Sequence, residues 1–165
     1  MDAESAVFGE TAQHRPAEKG HGSVGTTSRR KGVTTMKTLV VEDDFTSRLL
    51  LQTILGVYGE CDAAGDGIDA VATFLAAQRT KEPYQLICLD IMMPEVDGKD
   101  ALRAIRDLER ASGRLPEARA KIVMTTSLGD PRTVEACFHD LCDGYLVKPI
   151  DKAELLACLR QLKLI

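Results

Sequence analysis

From residue 37 onward the chain repeats one pattern five times: a short apolar run, then a longer stretch with apolar side chains at helical spacing. The runs are TLVVE (38–42), ECDAA (60–64), LICL (86–89), KIVMT (121–125) and GYLVK (144–148). After the first run come Phe45, Leu49, Leu50, Ile54, Leu55 and Tyr58; after Gly67 come Ile68, Val71, Ala72 and Leu75. A third stripe of Ala101, Leu102, Ile105 and Leu108 stops near Ser112–Gly113. Asp130–Pro131 offers an N-cap and a proline at the first helical position, ahead of Val134, Cys137, Phe138 and Leu141. Asp151, with Glu154 three residues on, starts a last helix carrying Leu155, Leu156, Leu159 and Leu162. Strict alternation of this kind predicts parallel strands joined by right-handed crossovers, with helices on both faces. LICL, apolar throughout, reads as a central strand buried on both sides. The expected fold is a doubly wound α/β domain of five parallel strands and five helices over residues 36–165.

Residues 1–35 are of another kind. They hold Gly9, Gly20, Gly22, Gly25 and Gly32, many Ser and Thr, and only isolated apolar positions. Such a stretch buries too little apolar surface to offset its ordering entropy, so it is expected to be a disordered tail. Arg29–Arg30–Lys31 reads as a solvated charge run. Met36 stands directly before the first strand and is expected to be an alternative start, with residues 1–35 then not translated.

A formal net charge of −4 argues against nucleic acid as a ligand, because phosphate binding needs a basic patch. No window approaches the ~20 apolar residues that span a bilayer, and the N-terminus lacks the apolar core of a signal peptide. A cytoplasmic protein without a membrane span is expected. Cys61, Cys88, Cys137, Cys142 and Cys158 form no CxxC pair and read as reduced thiols, mostly in the core. His14, His21 and His139 are dispersed and do not form a metal site.

Chemistry-bearing residues end four of the five runs. Glu42–Asp43 follows the first, Asp90 the third, Thr126 the fourth, and Lys148–Pro149 closes the fifth. In an open parallel sheet, ligands bind in the crevice outside the carboxyl ends of the strands. Carboxylates, a hydroxyl and an ammonium brought there together describe a site for Mg²⁺ and phosphoryl chemistry. Three carboxylates held close repel unless a cation neutralises them, and Mg²⁺ prefers such oxygen ligands.

VVEDD with Arg48, LDIMMPEVDG, MTTS and GYLVKP, in this order over residues 37–163, resemble the receiver domain of bacterial two-component response regulators, of the stand-alone chemotaxis-regulator type. That resemblance implies a flavodoxin-like sheet of order 2-1-3-4-5 and a phosphoacceptor at Asp90. It implies Mg²⁺ held by Asp43, Asp90, the backbone carbonyl of Met92 and waters, with Glu42 acting through one of them. Asp44 is expected to cap the first helix. Thr126 and Lys148 are implied to serve the phosphoryl oxygens, with a cis peptide at Lys148–Pro149. Thr125 and Thr126 point to opposite faces of a strand, and the resemblance selects Thr126, whose 22-residue interval to Lys148 matches the family's. Tyr145 corresponds to the family's switch aromatic, coupled to Thr126.

The function implied is a single-domain phosphoaspartate switch that takes its phosphoryl group from a sensor histidine kinase or a histidine phosphotransferase protein. It would catalyse only its own phosphorylation and dephosphorylation. It would signal by binding an unknown protein at the face made by the fourth helix, fifth strand and fifth helix. The alternative is a phosphorelay intermediate that passes the group on to a histidine phosphotransferase protein. A phosphatase with an aspartyl nucleophile would want a second aspartate two residues after the first, where this chain has Met92. The resemblance implies that Met92 and Leu128, two positions beyond Asp90 and Thr126, flank the path of a hydrolytic water. Two departures from the family stand out: a longer stretch around Arg110, Gly113, Pro116 and Arg119, and Leu141–Cys142–Asp143–Gly144 before the fifth strand. The former reads as a loop.

Overall fold

Five parallel strands carry the domain: β1 (Thr38–Val41), β2 (Cys61–Ala64), β3 (Leu86–Asp90), β4 (Lys121–Thr126) and β5 (Gly144–Val147). They form one sheet in the order β2-β1-β3-β4-β5, as the resemblance implied. The computed structural model describes residues 35–80, 83–93, 97–127 and 141–165. Within these lie four α-helices: α1 (Phe45–Leu55), α2 (Gly67–Gln78), α3 (Gly98–Ala111) and α4 (Lys152–Gln161), with a 3₁₀ turn at Pro116–Ala118. Of the helix expected over 131–141, all but Leu141, including Val134, Cys137, Phe138 and His139, lies outside the described residues, as do residues 1–34. No helix among the described residues is long and apolar enough to cross a membrane.

Pleat alternation divides the core into two layers. Leu39, Val41, Ile87, Leu89, Ile122 and Met124 face α2 and α3. Val40, Leu86, Cys88, Val123 and Leu146 face the layer that contains Leu51 and Leu55 of α1 and Leu155 and Leu159 of α4. β3 is buried at every position, which accounts for its unbroken apolar sequence. Cys61, Cys88, Cys142 and Cys158 are not disulfide-bonded; Cys137 lies outside the described residues.

Aspartates start all four helices. Asp44, Asp66, Asp97 and Asp151 each accept backbone N–H groups of the first turn, satisfying donors that have no partner within the helix. Asp44 therefore caps α1, as expected, with Ser47 N donating at 2.7 Å. Gly98, at the start of α3, is held by close approach. A Cβ there would come 1.9 Å from the Asp90 carbonyl oxygen, so only glycine lets α3 begin against the end of β3.

Two helix faces differ from the sequence reading. In α2 the buried residues are Gly67, Ala70, Phe74 and Ala77, whereas Ile68 and Leu75 are exposed. Burying Ala70, Phe74 and Ala77 places the largest side chain of the helix in the core and small ones where the backbone approaches its neighbours. In α1 the core takes Leu51, Ile54 and Leu55, leaving Phe45, Leu49 and Leu50 exposed.

Candidate functional site

β1 and β3 are adjacent parallel strands, so their carboxyl ends open on the same edge and deliver Glu42, Asp43 and Asp90 together. Ligand atoms of these three carboxylates all lie within 4.8 Å of one another. Glu42 is 0% exposed and Asp90 2%, while Asp43 faces solvent. Arg48, one turn into α1, ties down the backbone beneath them: Nη1 donates to the Glu42 carbonyl at 2.6 Å and to that of Asp43 at 3.2 Å.

Lys148, just past β5, reaches across to the cluster. Its Nζ donates to Asp90 Oδ2 at 2.7 Å and to Glu42 Oε1 at 2.8 Å. It also lies 2.8 Å from Glu42 Oε2, but that oxygen has no hydrogen-bond donor, so the second approach is ionic without hydrogen-bond geometry. Burial pushes the Glu42 carboxyl above its ordinary pKa, the nearby Asp90 charge adds to this, and the Lys148 hydrogen bond opposes both. Burial alone would depress the Lys148 ammonium. The hydrogen bonds and charges of Asp90 and Glu42 together outweigh it and hold Lys148 above the usual lysine value.

Three carboxylates against one ammonium leave two negative charges uncompensated, which is the charge of one divalent cation. All the donors are hard oxygens, and Glu42 Oε2 is buried with no hydrogen bond. The residues therefore fit a divalent hard cation such as Mg²⁺. The Met92 backbone N–H donates to Asp90 Oδ1 at 3.3 Å and orients that carboxylate. The Met92 side chain is exposed beside the site.

Thr126 ends β4 fully buried, and its carbonyl accepts from Lys148 N at 2.8 Å. By alternation its side chain shares a face with Met124, which pairs in register with Tyr145. Tyr145 is half-buried and packs against the α2–α3 layer of the core. Thr125 pairs in register with Asp90, and its hydroxyl is buried without a hydrogen-bond partner. Sequence reasoning gave Thr125 no role; its pairing with Asp90 follows from the strand register, which no local motif encodes. The Lys148–Pro149 peptide is cis, as the resemblance implied. Leu128 lies outside the described residues.

The probable transcriptional regulator ycf27 of Cyanophora paradoxa is 34% identical over 127 residues, covering 76% of this chain and 47% of that protein. The chain thus spans about half the length of that relative. Among solved structures, a chain of the CheX–CheY–BeF3–Mg²⁺ complex from Borrelia burgdorferi superposes with a TM-score of 0.65 at 25% identity, covering 78% of this chain and 89% of that one. The receiver domain of the histidine kinase CKI1 from Arabidopsis thaliana, complexed with Mg²⁺ and BeF3⁻, gives 0.66 at 26% identity, covering 79% and 91%. Residues 38–160 match the response regulator receiver domain, and the chain belongs to that family.

Proposed function

We propose that residues 36–165 form a cytoplasmic, Mg²⁺-dependent phosphoaspartate switch, with Asp90 as the acceptor and a phosphohistidine of a sensor kinase or histidine phosphotransferase protein as the donor. The observation that carries this reading is the Lys148 ammonium bridging Asp90 Oδ2 and Glu42 within a three-carboxylate cluster. An Asp90 oxygen attacks the phosphorus, a P–O bond forms, and the N–P bond to the donor histidine breaks. Lys148 is already in place to transfer a hydrogen bond from the Asp90 carboxylate to a phosphoryl oxygen, where charge accumulates. Asp43, Asp90 and the Met92 carbonyl would hold Mg²⁺, with Glu42 acting through a water, and the ion would neutralise charge on the transferring group. The protein's remaining contribution is positioning: Arg48 fixes the Glu42–Asp43 backbone, and Gly98 lets α3 close against Asp90.

Thr126 supplies a hydroxyl to the phosphoryl group, and Tyr145, on the same face one strand over, follows its movement. Output then passes to a protein partner at the surface of β5 and α4, together with the segment 131–141, by a change in what that surface binds. Similarity to the receiver of a histidine kinase supports a second reading, a phosphorelay intermediate that returns the group to a histidine phosphotransferase protein.

Phosphotransfer separates these. The protein is mixed with a radiolabelled, autophosphorylated histidine kinase, with and without Mg²⁺, and an unlabelled phosphotransferase protein is added afterwards. Label that reaches the protein only with Mg²⁺ and stays there supports the switch. Label that moves on to the phosphotransferase supports the relay. Transfer that is equally fast in EDTA contradicts both.

A further inference from the structure

At the opposite end of the sheet from Asp90, a cavity of about 210 Å³ opens beside the 3₁₀ turn. Its lining includes Arg106, Pro116, Arg119, Lys121, Cys142 and Asp143. The charges here are not balanced. Arg106, 7% exposed, donates from Nη1 to Glu109 Oε2 at 2.6 Å and to the Ala120 carbonyl at 2.9 Å. Its Nη2 donates to Asp143 Oδ2 at 2.8 Å and its Nε to the Leu141 carbonyl at 2.7 Å. Lys121 Nζ donates to Asp143 Oδ1 at 2.8 Å. Glu109 and Asp143 are further engaged by the backbone N–H groups of Ala120 and Ile122. Both acids are thus committed to Arg106 and Lys121.

Arg119 is the third cation on the cavity wall, and among the described residues it has no ion pair. Its Nε is buried and has no hydrogen-bond partner. An unsatisfied buried donor on a charged group costs free energy, which marks Arg119 as the cation here without a fixed partner. The spare charge is a single positive one. The guanidinium edge presents paired N–H donors that match the two oxygens of a carboxylate. A dianion would bring one charge too many and would meet the Asp143 carboxylate that also lines the cavity. Pockets for drug-sized ligands measure roughly 300–1,000 Å³, so this smaller space suits an acid of a few carbon atoms.

We propose that this cavity is a binding site for a small monocarboxylate, anchored on Arg119 and separate from the phosphorylation site. The test is an NMR titration of the isotope-labelled protein with sodium acetate and sodium pyruvate, at ionic strength matched with sodium chloride. Saturable shifts are expected at Arg119 Nε and at the Ala120, Lys121 and Asp143 amides, with Kd on the order of 1 mM. Arg119→Gln, which breaks no existing hydrogen bond, should weaken binding by about tenfold or more and leave acetyl phosphate labelling unchanged. Arg119→Lys, which keeps the charge but loses the paired donors, should fall between. Shifts that fail to saturate, or an Arg119→Gln affinity equal to the parent's, would overturn the site. Tighter binding of inorganic phosphate than of either acid would overturn the carboxylate assignment.

Discussion

Asp43→Asn should make the metal-free protein more stable and the Mg²⁺-loaded protein relatively less so. Asp43 lies within 4.8 Å of both Glu42 and Asp90, faces solvent, and makes no hydrogen bond to Lys148. At such a distance two like charges repel by about 1 kcal/mol in water-like surroundings. Two such repulsions, partly returned by attraction to Lys148 and Arg48, leave a net relief of about 1 kcal/mol, or a rise of about 3 °C in melting temperature for a domain of this size. Asp90→Asn differs, because it also forfeits the 2.7 Å bond to Lys148 and should show little or no such gain. Adding Mg²⁺ to about a hundred times its Kd stabilises the parent by about 2.7 kcal/mol. Asp43→Asn, with weaker Mg²⁺ affinity, gains less, so the order of melting temperatures should reverse. Thermal melts in EDTA and across a Mg²⁺ series measure both effects. An Asp43→Asn protein less stable than the parent in EDTA, or one that keeps its lead at saturating Mg²⁺, would refute a repulsive carboxylate cluster relieved by the cation.

Arg106→Met should cost about 3–5 kcal/mol in denaturant unfolding, because it leaves the fully buried Glu109 charge without its partner; a loss below about 1 kcal/mol would contradict this. A protein beginning at Met36 should keep its melting temperature and its acetyl phosphate labelling, because residues 1–35 offer a core little apolar surface; loss of either would show that the tail packs on the domain. Met92→Asn combined with Leu128→Glu should speed autodephosphorylation by about tenfold, equal to about 1.4 kcal/mol of barrier, because polar groups orient the attacking water where a thioether and an isobutyl group do not. An unchanged or slower decay of the phosphorylated species would exclude water access at this pair as the limit on its lifetime.

The strands and the site were legible for the same physical reason. A strand buried on both faces must be apolar along its length, so a charged residue at its end marks where the sheet meets solvent. Glu42, Asp90, Thr126 and Lys148 each end such a run or directly follow it, and parallel pairing brings those ends to one edge. The helix faces were less legible. α2 is apolar over most of its circumference, so Ile68–Leu75 and Ala70–Phe74 stripes compete, and only packing against the sheet selects the second. Least legible was the Arg106–Glu109–Asp143 network. Its members lie up to 37 residues apart and pair through tertiary contact. The one local signal was the departure from the family at Leu141–Cys142–Asp143–Gly144 before β5. The structure gives that departure a reason: Asp143 accepts from Arg106, Lys121 and the Ile122 backbone.

The central claim is that Asp90 alone accepts the phosphoryl group, in a site that needs Mg²⁺. Parent protein and Asp90→Asn are incubated with acetyl phosphate and Mg²⁺, the intact masses are measured, and the adduct is located by fragmentation. The parent should gain one phosphoryl group at Asp90, lose the signal in EDTA, and show beryllofluoride-dependent changes centred on Asp90 and Lys148. Asp90→Asn should gain none. Labelling of Asp90→Asn to the parent's extent, or an adduct on Asp43 or Glu42 in the parent, would contradict the account.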